Sequence, residues 1–159
     1  MGNREEKSTA FLQSELKHAK SLEQFIRENA SDLKAKSIPE YLNDLLIKYD
    51  LEKSDVVRRS GLSGTYAYQI FDGKKSAGRD KLIQLAFGFP LNLEETQRLL
   101  RFGGHNELYV KKKREAFVMY ALEKGYDINQ VNDLLYQNEG GCKKTAIKEK
   151  LRYCRKVIP

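Results

Sequence analysis

Residues 51–73, LEKSDVVRRSGLSGTYAYQIFDG, constrain the fold more than any other stretch of the chain. They read as two short helices joined by a tight turn. Val56 and Val57 give the first helix an inward face. Gly61 breaks it where the chain must visit φ > 0, a conformation that glycine adopts without steric cost. Leu62 follows as a buried turn residue. Ser63 is placed to cap the second helix by accepting a bond from an orphan N–H. Ala67, Ile70 and Phe71 then fall at i, i+3 and i+4, which is one helical face. The other face carries Gly64, Thr65, Tyr68, Gln69 and Asp72. It is polar, small at its N-terminal end, and nothing in the sequence is patterned to cover it.

The flanking segments are helical too. Residues 1–10 are polar and expected to be disordered. Apolar residues then recur at gaps of three and four from 11 to 33, an amphipathic helix with a break near Ser21. Its stripe has to dock on the later domain or on a second copy. Ser37, Pro39 and Glu40 form a helix start with a capping box, and Leu42, Leu45, Leu46 and Tyr49 face inward. Residues 73–78 are a loop. The helix over 79–88 buries Leu82, Ile83, Leu85, Ala86 and Phe87, and Pro90 stops it. Asn92 and Glu95 make a second capping box, followed by Leu93, Thr96, Leu99 and Leu100 on one face and Gly103-Gly104 at the end. A helix over 111–124 carries Ala116, Phe117, Met119, Tyr120 and Leu122. Asp127 with Gln130 caps the next, in which Ile128, Val131, Leu134 and Leu135 pack. After Gly140-Gly141 comes a last helix, apolar at Ile147, Leu151 and Cys154 and strongly basic on its other face. No strand-like alternation appears, so the fold class is all-α. The expected divisions are 1–36, 37–104 and 105–159.

Composition limits the chemistry. The chain has 159 residues, a formal charge of +7 and a pI near 9.3, which permits an anionic partner without demanding one. Basic and acidic residues number seven and six in 1–36, eight and seven in 37–90, and fourteen and nine in 91–159. The two-helix stretch therefore lies in a nearly neutral segment. Cys142, Cys154, His18 and His105 make no metal motif, and reduced thiols of a cytoplasmic protein are the expected state. No apolar run approaches a membrane span, and the N-terminus has no signal-peptide core. No histidine has a cysteine or serine partner at a recognised spacing, and the glycine pairs are helix ends, not phosphate loops. No catalytic residue, cofactor or metal is expected, and the chain reads as not an enzyme.

Residues 51–75 resemble the helix-turn-helix of the Xre/lambda-repressor-like DNA-binding proteins. The match is carried by Val56-Val57, Gly61-Leu62, Ala67, Ile70 and Gly73-Lys74-Lys75, in order and spacing. Lys53, Val57 and Ala67 depart from that family's usual residues. The resemblance extends more weakly over 37–137 and implies a five-helix domain over 37–104. It implies that Gly64, Thr65, Tyr68 and Gln69 read base edges, where a glutamine suits adenine and a threonine suits a thymine methyl. Lys53, Ser63, Lys74, Lys75 and Arg79 would then lie on the DNA backbone. Lys111, Lys112, Lys113 and Arg114 form a second basic patch at a helix start, where cations oppose the helix dipole; the patch is either a phosphate contact or a solvated loop end. The implied function is a transcriptional regulator that binds double-stranded DNA, as a homodimer and with any signal arriving through a partner protein, oligomerisation or modification. The alternative is an all-α interaction adaptor or antirepressor that keeps the two-helix motif as scaffold.

Overall fold

The computed structural model describes residues 7–34 and 36–138. The chain divides between Lys36 and Ser37 into two compact units. In the first, the amphipathic stretch expected over 11–33 with a break near Ser21 is two helices, α1 (Thr9–His18) and α2 (Leu22–Glu28). The break comes from Ser21, whose extended backbone and hydroxyl, accepting from the Gln24 N–H, start a new helix. Lys7 ties the unit together. Its backbone N–H donates to Asp32, and its ammonium donates to Glu15 and to the buried Asn29. Phe25 is buried, but Phe11, Leu16, Leu22 and Ile26 are exposed. Residues 1–6 lie outside the described residues, and α1 already starts within the polar segment.

The second unit contains α3 (Ile38–Tyr49), α4 (Lys53–Ser60), α5 (Gly64–Phe71), α6 (Arg79–Gly88), α7 (Leu93–Phe102), α8 (Lys113–Glu123) and α9 (Ile128–Asn138). The described residues include no strand and are all-α. None of the described helices is long and apolar enough to cross a membrane. The last basic helix expected after Gly141 falls on residues outside the description.

Local sequence accounts for the helix limits. Ser37 and Glu40 cap α3 reciprocally, as do Asn92 and Glu95 at α7. Asp127 and Gln130 exchange the same pair of bonds at the start of α9. The helices then enclose one core. α6 lies at its centre and is buried from Leu82 to Gly88, with α4 and α7 packed against it. Leu42, Val56, Ala67, Ile70, Phe71, Leu82, Leu85, Phe89, Leu99 and Leu100 are almost fully buried. Each large side chain of this kind stabilises the fold by about 1.5–3 kcal/mol through loss of water contact. Leu108, Val118, Ala121, Leu122, Val131 and Leu135 belong to the same core. Residues 105–138 therefore share the core of 37–104.

Two expected faces shift. In α8 the buried residues are Glu115, Val118, Ala121 and Leu122, while Tyr120 points to solvent. In α3, Tyr41 joins the buried face. Its ring meets Phe102 edge-on at 4.9 Å, and its hydroxyl donates to the Glu95 carbonyl.

Candidate nucleic-acid interface

α4 and α5 meet through the turn from Gly61 to Ser63. Gly61 has φ 70°, the left-handed conformation expected from the sequence. A serine not singled out from the sequence completes the turn. Ser60 is fully buried, donates to the Val57 carbonyl at 2.7 Å and accepts from the Leu62 N–H at 3.3 Å. Ser63 occupies the N-cap position of α5, but its side chain makes no capping bond. The expected cap is thus absent, and Ser60 orders the turn from within. Leu62 is half-buried rather than buried.

Gly88 is the second residue missed. A Cβ there would lie 2.5 Å from the Val56 carbonyl oxygen and 3.0 Å from the Ser60 Cβ. α6 and α4 can cross this closely only because residue 88 has no side chain. The approach fixes α4, and through the turn it fixes α5. In the sequence Gly88 is only the last residue of a helix that Pro90 stops, and nothing local marks its packing role.

α5 buries Ala67, Ile70 and Phe71 and turns Gly64, Thr65 and Tyr68 outward. Tyr68 is 41% exposed, and Gln69 is half-buried at the edge of that face. The four candidate base-reading residues thus occupy the outward side and margin of one short helix. Lysines stand at the two ends of the motif. Lys53 opens α4, with its ammonium 3.9 Å from Asp72 and 5.6 Å from the centre of the Phe71 ring. Lys74 reaches the other Asp72 oxygen at 3.8 Å. Lys75 lies 5.7 Å over the Tyr66 ring, and the Lys74 and Lys75 N–H groups both donate to the Gln69 carbonyl. Asp72 therefore gathers Lys53 and Lys74 at the C-terminal end of α5.

Arg79 does something else. Its guanidinium donates to the Asn106 and Glu107 carbonyls at 2.9 and 3.1 Å and pairs with Glu115 at 3.1 Å. It joins the start of α6 to the segment between α7 and α8. The sequence cannot reveal this, because the partners lie 27 to 36 residues away. Glu115, 11% exposed, also accepts from the Tyr109 N–H at 2.6 Å and lies 3.5 Å from the Lys112 ammonium. Burial pushes its carboxyl up, but the Tyr109 N–H, the Arg79 charge and hydrogen bond and the Lys112 charge outweigh it. The group lies below its ordinary 4.5.

That network also corrects the electrostatic argument for the 111–114 patch. α8 starts at Lys113, with Lys112 at its N-cap, and Glu115 sits in its first turn. The anion wanted by the helix dipole is present, so the placement of Lys111, Lys112, Lys113 and Arg114 is less unfavourable than the sequence implies. All four residues are exposed. His105 is bound through its ring to the Ala77 carbonyl at 2.9 Å, and His18 to the Ser14 carbonyl at 2.8 Å. Among the described residues no group of three or more histidine, cysteine and acidic side chains could hold a metal ion. A shallow cleft of about 310 Å³ lies between α4, the α6–α7 connection and the α8–α9 turn, away from the outward face of α5.

Comparison with protein-family models, curated proteins and solved structures finds no match to the chain.

Proposed function

We propose that this protein is a sequence-specific DNA-binding regulator of transcription of the Xre/lambda-repressor-like helix-turn-helix kind, with residues 63–72 entering the major groove. One arrangement carries the reading. α5 is anchored by Ala67, Ile70 and Phe71, presents Gly64, Thr65, Tyr68 and Gln69 on its free side and margin, and is flanked by Lys53, Lys74 and Lys75. A helix of this width fits the major groove of B-form DNA, and its small N-terminal residues permit close approach to the bases. In this reading Thr65, Tyr68 and Gln69 face base edges, and Lys53, Ser63, Lys74 and Lys75 contact phosphates. Arg79 leaves the phosphate group in this reading, because its Nε and one terminal nitrogen are engaged by the Asn106 and Glu107 carbonyls and by Glu115. Two copies bind together, since one eight-residue helix reads only a short segment.

Asp72 favours the competing reading, a protein-interaction adaptor or antirepressor built on the same scaffold. Its carboxylate lies beside Lys53 and Lys74 and would stand near phosphates. Selection of bound duplexes from a random pool decides between the two. Enrichment of one motif supports the regulator; recovery of no preferred sequence at physiological salt supports the adaptor.

A further inference from the structure

We infer that residues 109–112 and Lys113, the first residue of α8, form a second nucleic-acid contact, a rigid basic loop and helix start that grip the backbone of the same duplex beyond the segment read by α5. This inference rests on the DNA-binding reading. Tyr109 and Val110 are 51% and 61% exposed, and Lys111, Lys112 and Lys113 follow them directly. Among the described residues no carboxylate pairs with Lys111 or Lys113.

The backbone that carries these side chains is nevertheless held at both ends. The Gln97 side chain bonds both the N–H and the carbonyl of buried Leu108, at 2.7 and 2.9 Å. The Tyr109 N–H donates to Glu115, and the Lys112 N–H closes a turn on the Tyr109 carbonyl. A loop already ordered loses little conformational freedom on binding, which favours affinity. Its position follows from two links. Arg79 clasps the carbonyls of residues 106 and 107 and the Glu115 carboxylate, and His105 bonds the Ala77 carbonyl. The loop is thereby joined to the stretch that leaves α5 through Lys74 and Lys75. Lysines suit phosphate, and an exposed tyrosine beside them suits the apolar face of a sugar or base. Glu115 lies beside both Arg79 and Lys112 and so offsets one of these two cations, which leaves the charges of Lys111 and Lys113 in place.

The test uses the full chain and three duplexes: one trimmed to the motif recovered by selection, one extended from it by a helical turn at each end, and one scrambled. Lys111→Gln/Lys113→Gln should bind the trimmed duplex as wild type does and the extended duplex several-fold more weakly. On the extended duplex alone, its slope of log affinity against log salt should fall by about two units. Hydroxyl-radical footprints should show wild type protecting sugars outside the trimmed motif and the variant leaving them open. Equal affinity, slope and footprint for both proteins on the extended duplex would overturn the loop contact and leave α5 as the reading helix. A wild-type chain that does not prefer the selected duplex over a scrambled one overturns the underlying reading, and the loop contact with it.

Discussion

Arg79 and Glu115 are joined by an ion pair at 3.1 Å, and the same guanidinium holds the Asn106 and Glu107 carbonyls. One side chain therefore links the start of α6 to the start of α8. Around it, residues 105–112 are held against the core without regular secondary structure of their own.

The pair makes a stability prediction. Arg79→Met leaves Glu115 with the Tyr109 N–H and Lys112 but removes its nearest charge. Hydrogen bonds to charged groups contribute about 1.5–3 kcal/mol, so the variant should be less stable by roughly that amount and unfold at lower denaturant. Arg79→Lys should recover little, because an ammonium cannot span two carbonyls and a carboxylate in one plane. Chemical denaturation of the three proteins checks this, and equal midpoints would remove Arg79 from the account of the loop.

Acid should act on the same group. Glu115 lies below its ordinary 4.5, and so does Glu95, where the hydrogen bonds from Lys48, Tyr49 and the Asn92 N–H and the Lys48 charge outweigh burial. A depressed carboxyl contributes stability that is present above the unfolded value and is lost as pH falls through the folded one. Wild type should therefore lose stability as pH drops below about 4.5. Glu115→Gln should begin less stable at neutral pH and fall less steeply, which melting temperatures measured across that range would reveal.

Two glycines respond oppositely to chain propensity. In an exposed helix interior, replacing glycine by alanine stabilises by roughly 1 kcal/mol. At Gly88 the added methyl meets the Val56 carbonyl, which is backbone and cannot rotate away, so Gly88→Ala should destabilise by about 1–3 kcal/mol. At Gly61 the nearest atom to a Cβ is Ile128 Cγ2 at 3.9 Å, so space is ample and only φ is at issue. Gly61→Val should cost more than ~1 kcal/mol through strain, and Gly61→Asn clearly less. Thermal unfolding separates these mechanisms, and a valine variant as stable as the asparagine variant would dismiss strain at the turn.

These residues also mark what sequence makes legible. The limits of α3, α7 and α9 follow from capping boxes within four residues of chain, and Gly61 follows from the need to reverse a helix. Local chemistry decides such features, so they can be read in order. The Ser21 break was visible for the same reason. Gly88, Ser60, Glu115 and the partners of Arg79 depend on which helix crosses which, and no spacing in the chain encodes that crossing. Val118 and Ala121 were missed because 111–124 is apolar on several sides, and periodicity alone could not choose between Tyr120 and its neighbours. The outward position of Thr65 and Tyr68 was legible once Ala67, Ile70 and Phe71 were assigned inward.

Val57 and Ala67 are both buried, one on each helix of the α4–α5 pair. The resemblance to repressor-like proteins makes Val57 larger and Ala67 smaller than usual, which suggests mutual compensation. Val57→Ala should leave a small void and Ala67→Val should overpack, each costing roughly 1–3 kcal/mol. If the side chains touch, the double swap should recover part of the loss. Additive losses in the double-mutant cycle would place them apart.

The last prediction separates base reading from backbone binding. Gln69 lies at the margin of the outward face of α5, and Lys75 lies in the loop that leaves it. A side chain that reads a base discriminates between sequences, whereas a phosphate contact strengthens binding to all of them. Gln69→Ala should therefore lose about 1–3 kcal/mol on the selected duplex and much less on scrambled DNA. Lys75→Ala should weaken both duplexes alike and lower the salt slope by about one unit. Lys74→Ala should have a smaller effect than Lys75→Ala, because Asp72 already lies beside the Lys74 ammonium and offsets part of its charge. Asp72→Asn should accordingly raise affinity for both duplexes by releasing Lys53 and Lys74. Titrations by fluorescence anisotropy on the two duplexes over a salt series measure all four variants. Identical behaviour of Gln69→Ala and Lys75→Ala on both duplexes would mean that α5 is not the helix that reads sequence.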